Sequence, residues 1–166
     1  MRQLILIRHA KSSWDNPELS DFERPLNKRG KKDAPFMAKL LSEKNISPEL
    51  IISSPAQRTK ITALEFAQKF GYKEKDIVWD RNLYLASAVK LLKIIQKLED
   101  KIKCAIIVGH NPGLTDLQNY LCNDEIDNIP TCGIVCLSTD KKWVEVGAKD
   151  FELQFFEFPK KYRKKI

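Results

Sequence analysis

Three short apolar runs in the chain each end in polar residues that can carry chemistry. Residues 4–7 lead into Arg8-His9, residues 50–52 into Ser53-Ser54, and residues 105–108 into Gly109-His110. Short apolar runs of this kind predict buried strands. Ligands of open α/β sheets bind where the strands end. Because the chain has only two histidines, their equivalent positions predict that both lie in one site.

Helical spacing of apolar residues separates these strands. It predicts helices over about 27–43, 55–70, 87–99 and from His110 to about 121. Asn27 and Ser87 are suitable N-caps, and Gly71 is suited to ending the second helix. Pro35 falls inside the first helix, which therefore either kinks there or starts near Asp33.

The remaining apolar segments complete a sheet. Strands are predicted over 2–8, 49–53, 76–79 and 103–108, and then over 132–137, 142–146 and 151–158. Alternation of strands and helices, followed by strands alone, predicts an α/β fold. We expect a three-layer sandwich in which a mostly parallel central sheet has helices on both faces and an antiparallel edge. At 166 residues, one domain over 1–166 is expected.

Composition narrows the functional classes. No apolar stretch approaches the roughly 20 residues of a membrane helix, and the N-terminus has no secretion-signal pattern, so a cytoplasmic location is expected. The net charge of +7 is concentrated partly in residues 28–32 and 160–165. These segments suit an anion or a nucleic acid, but a solvated face and a frayed end are the favoured interpretation. The four cysteines lack metal-site spacing and are expected to be reduced core residues, without a structural metal.

The side chains at the predicted strand ends suit a phosphoryl group. Arg8 and Arg58 supply guanidinium groups, and His9 and His110 supply imidazoles. Arg58 lies near the start of a helix, where a cation opposes the helix dipole, so a bound anion would offset that cost. Ser12 and Asn111 are either donors to a phosphate or loop and cap residues. A serine nucleophile is disfavoured because the G-x-S-x-G pattern is absent.

Four ordered blocks resemble one known family. Arg8-His9-Ala10 resembles the Arg-His-Gly signature of the histidine phosphatase superfamily. The SixA-type phosphohistidine phosphatases are resembled more narrowly by Arg24-Pro25-Leu26 with Arg29-Gly30, by Ser53-Ser54-Pro55 with Arg58-Thr59, and by Gly109-His110-Asn111-Pro112. The resemblance implies that His9 is the nucleophile, that Arg8 and Arg58 clamp the phosphate, and that His110 stabilises the transition state. It implies neither a metal nor another cofactor.

One departure bears on the substrate. Larger members of the superfamily protonate the leaving oxygen with a carboxylic acid, but the matching residues 83–87 contain no Asp or Glu. Asp15 and Asp21 could replace that acid, although turn chemistry is the favoured interpretation of both. The missing acid favours phosphohistidine, whose P–N bond is weaker than an ester bond.

We therefore expect a phosphohydrolase acting on phosphohistidine of a protein. A broad small-molecule phosphomonoesterase and a binding module that holds a phosphorylated partner without turnover are the alternatives. We expect this protein to act on a phosphorylated protein or a small phosphorylated molecule. We expect it to bind neither nucleic acid nor a membrane.

Overall fold

The computed structural model describes residues 1–163, which form one six-stranded sheet covered by helices. The strands are β1 Arg2–Arg8, β2 Leu50–Ser53, β3 Val78–Trp79, β4 Cys104–Gly109, β5 Ile134–Thr139 and β6 Glu152–Glu157. The α-helices are α1 Lys28–Ser42, α2 Gln57–Lys69, α3 Ala88–Gln96, α4 Gly113–Leu121 and α5 Lys160–Arg163. Four 3₁₀ turns cover Asp21–Glu23, Glu74–Asp76, Arg81–Leu83 and Trp143–Glu145.

The sheet is parallel on one side and antiparallel on the other. The strand order is β3-β2-β4-β1-β5-β6, in which β3, β2, β4 and β1 are parallel. β5 pairs antiparallel with both β1 and β6. The predicted α/β sandwich with an antiparallel edge is thereby confirmed.

The two faces of the sheet belong to different helix layers because side chains alternate along a strand. Leu4 and Leu6 of β1 pack in the cluster that contains α3 and α4. Ile5 and Ile7 pack in the cluster of α1 and α2. All four side chains have no exposed surface, and burial of each contributes roughly 1.5–3 kcal/mol. β1 is therefore one of the two central strands of the sheet, with both of its faces in the core.

The helix ends follow the predicted signals. The Asn27 side chain accepts a hydrogen bond from the amide of Gly30 at 2.8 Å, and Ser87 accepts one from Lys90 at 3.3 Å. Gly71, with φ of 65°, follows the end of α2. The alternative start of α1 near Asp33 is wrong, because α1 begins at Lys28 and continues through Pro35.

Two predicted strands need correction. Residues 142–146 are not a strand, because Trp143–Glu145 form a 3₁₀ turn. Trp143 and Val146 are both buried in the α3–α4 cluster, and their i, i+3 spacing brings them to the same side. The predicted strand over 76–79 is reduced to Val78–Trp79, since Glu74–Asp76 form a turn.

Residues 1–163 include all four cysteines and most of the basic C-terminal segment. All four cysteines are buried and free, as expected for core residues. The expected frayed basic end is helical over Lys160–Arg163, and Lys161 pairs with Glu157 at 2.9 Å. Lys164 and Lys165 lie outside the described residues. No helix within the described part is long and apolar enough to cross a membrane.

Candidate active site

The register of two parallel strands, β1 and β4, places the two histidines side by side. Arg8 of β1 is paired with Gly109 of β4, so His9 and His110 are the next residues on neighbouring strands. The His9 amide donates to the Gly109 carbonyl at 3.1 Å, and the two imidazole centroids are 5.3 Å apart. Both residues are buried. The convergence expected from the apolar runs is present.

Arg58 lies between the two imidazoles. Its Nε is 3.4 Å from His9 Nε2, and its Nη2 is 3.5 Å from His110 Nδ1. Arg58 is the second residue of α2 and is only 4% exposed.

Two threonines of the same helix fix the position of Arg58. Thr59 Oγ1 donates to the Ser54 carbonyl at 2.8 Å. Thr62 Oγ1 accepts from the Ala10 amide at 3.0 Å. The start of α2 is thus tied to the ends of β2 and β1.

His9 is held in one tautomer. Its Nδ1 is 2.8 Å from the Ala10 carbonyl oxygen, which can only accept, so Nδ1 carries the proton. Nε2 is therefore unprotonated, and its lone pair accepts the long hydrogen bond from Arg58 Nε. Burial lowers the pKa of His9 to about 3; the Ala10 hydrogen bond opposes this change, and the charges of His110, Arg58 and Arg8 add to it. At neutral pH the ring is uncharged, and Nε2 can act as a nucleophile.

His110 is oriented by the end of β2. Its Nε2 is 2.8 Å from Ser54 Oγ, and the edge of Tyr84 packs against the ring at a centroid distance of 5.3 Å. Burial lowers the pKa of His110 to about 3, assisted by Arg58 and opposed by Asp21. The Nδ1 atom, which faces Arg58, is the ring atom available to a ligand in the site.

Asp21 is a residue of the site whose role sequence reasoning missed. Arg58 donates to its carbonyl oxygen at 2.6 Å and to its Oδ2 at 2.9 Å. Arg24 donates to Oδ1 at 2.9 Å, and the Tyr84 hydroxyl donates to Oδ2. Burial raises the pKa of Asp21, but the hydrogen bonds from Tyr84 and Arg58 outweigh it and lower the pKa to about 2. Asp21 is therefore a carboxylate at neutral pH and holds Arg58 in place.

Arg8 has donor capacity left over. Its Nη1 donates to the Ile129 carbonyl at 3.0 Å, while its buried Nε has no hydrogen-bond partner among residues 1–163. Burial and the charge of Arg58 both lower the pKa of Arg8. The guanidinium groups of Arg8 and Arg58 are close together, and Asp21 binds only that of Arg58. The pair therefore favours binding of an anion.

The two remaining candidate ligands of the phosphate, Ser12 and Asn111, are bonded to other protein groups. Ser12 Oγ is buried and accepts a hydrogen bond from Arg24, so it is linked to the site through Asp21. Asn111 donates to Asn128 and Ile129 at 3.0 and 2.9 Å, and its oxygen accepts from Thr115. These bonds hold the segment that contains Ile129, whose carbonyl accepts from Arg8.

Asp15 is exposed and makes none of the contacts described for the site. Within the described residues, no group of three acidic, histidine or cysteine side chains could hold a metal ion.

Comparison with known proteins agrees with this geometry. The sequence profile of the histidine phosphatase superfamily (branch 1) matches residues 4–83. A chloroplastic protein of Arabidopsis thaliana, itself uncharacterised, is 35% identical over 156 residues, which cover 89% of this chain and 71% of that protein. Phosphoserine phosphatase 1 of Hydrogenobacter thermophilus is 44% identical over 77 residues, or 41% of this chain and 32% of that enzyme.

Solved structures share the whole architecture. An Agrobacterium tumefaciens protein, provisionally assigned as a phosphohistidine phosphatase SixA, superposes with a TM-score of 0.80 at 29% identity and covers 95% of this chain and 98% of its own. The protein histidine phosphatase SixA complexed with tungstate has a TM-score of 0.82 over 97% and 99% of the chains, and at 20% identity it shows the fold alone. The paired histidines and arginines at the strand ends agree with these matches. The matched sequence and the shared fold show that this chain belongs to the histidine phosphatase superfamily.

Proposed function

We propose that the protein is a phosphohydrolase that passes a phosphoryl group through His9, with phosphohistidine of a protein as its substrate. The observation that carries the proposal is the position of Arg58. One buried guanidinium lies within 3.5 Å of both imidazoles, and its Nε donates to the unprotonated Nε2 of His9. A phosphoryl group bound to Arg58 would therefore have the nucleophile next to its phosphorus.

The first step is attack of His9 Nε2 on phosphorus. The P–N bond of the substrate breaks as a bond from phosphorus to Nε2 forms, and the departing imidazole keeps the electron pair and takes a proton. Arg8 and Arg58 neutralise charge on the phosphoryl oxygens, which costs no reorganisation because both are already in place. The Ala10 carbonyl keeps the Nδ1 proton on His9 and so supports the positive charge that develops on the ring.

His110 acts from the other side of the phosphoryl group. In the free site its Nδ1 is unprotonated, but a dianionic ligand favours the charged form of a neighbouring imidazole. His110 thereby takes up a proton on binding and donates it as a hydrogen bond to a phosphoryl oxygen. Water then attacks the phosphohistidine on His9, which releases inorganic phosphate and restores the neutral ring.

The protonation state of Asp21 favours a phosphoramidate over an ester. A general acid contributes about 10²–10⁴-fold to ester cleavage, but Asp21 is ionised through its bonds to Tyr84 and Arg58. No carboxyl group is present in residues 83–87. The nitrogen of phosphohistidine can take its proton from solvent. A structural relative described as SixA holds tungstate, a tetrahedral oxyanion like phosphate, which supports a phosphoryl site in this fold.

A phosphomonoesterase is the second candidate, because residues of this chain match a phosphoserine phosphatase at 44% identity over 77 positions. The deciding experiment compares kcat/KM for one protein carrying phosphohistidine and for one carrying phosphoserine. We expect phosphohistidine to be preferred by about 100-fold or more. A preference for phosphoserine would make the phosphomonoesterase the better account.

Asp21→Asn separates positioning from acid catalysis in the same assay. We expect a loss of less than about tenfold, similar for both substrates, because Asp21 acts through Arg58. A large loss confined to phosphoserine would show that Asp21 supplies the proton. Asp124→Asn, a change at an exposed position outside both the histidine site and its contacts, is the matched control and should leave both rates unchanged.

A further inference from the structure

A cavity separate from the histidine site lies between the first turns of α1 and the short helix α5. Its volume is about 690 Å³, within the size range of ligand sites. We call it the α1–α5 groove. Its lining comes from the residues at the start of α1, from Phe36, from Pro159 and Tyr162, and from the exposed Asp15.

Positive charge dominates the groove. The groove is lined by two carboxylates, those of Asp15 and Asp33. It is also lined by four cationic side chains, which are Lys28, Arg29, Lys32 and Arg163. Asp33 is already paired with Arg163 and, at 3.7 Å, with Arg29. Among the described residues, Lys28 and Lys32 form no ion pair, so their charges face the groove uncompensated.

Helix stability does not explain a lysine at the first position of α1. The first turn of α1 contains no acidic residue, and the cation of Lys28 there opposes the helix dipole. An acidic ligand in the groove would reverse this unfavourable interaction. The charge pattern thus complements carboxylates.

The groove also has an apolar part. Phe36 and Tyr162 are 49% and 39% exposed, and their rings lie 5.7 Å apart. Exposed aromatics beside cations suit a peptide that carries both acidic and apolar side chains. A nucleic acid is the competing occupant, because its phosphates would also bind the lysines.

The groove is connected to the active site through one segment. A Cβ at Gly30 would lie 2.2 Å from the Lys11 carbonyl oxygen, so the first turn of α1 abuts the backbone just after His9. The same segment continues to Asp15 in the groove wall and to Asp21 beside Arg58. Residues 9–21 thus join the groove and the histidine site along one stretch of chain.

We propose that the α1–α5 groove binds an acidic segment of the phosphorylated protein substrate. This inference rests on the proposed function for its choice of partner. The groove would lower KM for the protein substrate without taking part in the chemical step.

The test uses the charge-reversed variant Lys28→Glu/Lys32→Glu. The matched control is Lys93→Glu/Lys97→Glu, an exposed i, i+4 pair at α3 on the opposite face of the sheet. Binding is measured by fluorescence anisotropy with a labelled peptide of alternating Glu and Phe, and turnover is measured with phosphoramidate and with a phosphohistidine protein that has an acidic flank. Thermal unfolding checks that both variants are folded.

We expect the groove variant to weaken peptide binding about fivefold or more and to raise KM for the protein, with kcat/KM for phosphoramidate unchanged. The control should match the wild type. Equal peptide binding by wild type and groove variant would overturn the proposal, as would an oligonucleotide that binds the groove in place of the peptide. Peptide binding without phosphohistidine hydrolysis would instead overturn the proposed function and leave the groove assignment standing.

Discussion

At the scale of single residues, Arg58 connects both histidines with Asp21. It contacts both imidazoles through two different nitrogens, and it is bound by the main chain and the carboxylate of Asp21. A planar guanidinium can make these contacts at once, whereas an ammonium group cannot. Asp21 balances the charge of Arg58 in the free site, and an incoming phosphoryl group adds a second partner.

Arg58→Lys tests this geometry. The variant keeps the charge but loses the planar fork, and charged hydrogen bonds contribute roughly 1.5–3 kcal/mol. We expect kcat/KM for phosphoramidate to fall about tenfold or more. The control is Arg81→Lys, which changes an exposed arginine that stacks on Phe22. An Arg58→Lys variant as active as this control would contradict the assigned clamp.

At the scale of helices and strands, the local pattern predicts those elements whose apolar run or cap residue lies within their own sequence. β1 and β4 are continuous apolar runs buried on both faces, and the caps at Asn27 and Ser87 mark their helices by side-chain chemistry. Parallel pairing then brings His9 and His110 together as a consequence of strand order. For that reason the two histidines could be paired from the sequence.

Features that depend on distant contacts could not be predicted in the same way. The strand expected over 142–146 is a turn because the buried Trp143 indole donates to the Ile102 carbonyl at 2.7 Å, a contact 41 residues away. Tyr84 and Asp21 are 63 residues apart and meet only in the folded chain. The pattern around Asp21 is that of an ordinary loop, so its link to Arg58 had no local signal.

At the scale of the whole molecule, the site makes stability depend on pH. Both histidines have a folded pKa of about 3, below the ordinary value of 6.5, because burial disfavours the charged ring. Between pH 6.5 and 3 the unfolded chain therefore binds more protons than the folded one. Stability is fully present above pH 6.5 and is lost as the pH falls.

Urea unfolding between pH 7 and pH 4.5 tests this dependence. Each buried histidine can contribute at most about 1.4 kcal/mol per pH unit to the slope. We expect His110→Gln to show a shallower fall in the free energy of unfolding than the wild type over this range. Parallel curves for the two proteins would contradict a neutral, buried His110.

Rapid quenching shows directly whether His9 carries the phosphoryl group during turnover. The enzyme is mixed with ³²P-labelled phosphohistidine substrate, quenched in alkali within the first turnover, digested and mapped. We expect label on the peptide containing His9, stable in base and lost in acid, with neither label nor turnover in His9→Ala. Label on another residue, or turnover by His9→Ala at the wild-type rate, would contradict it.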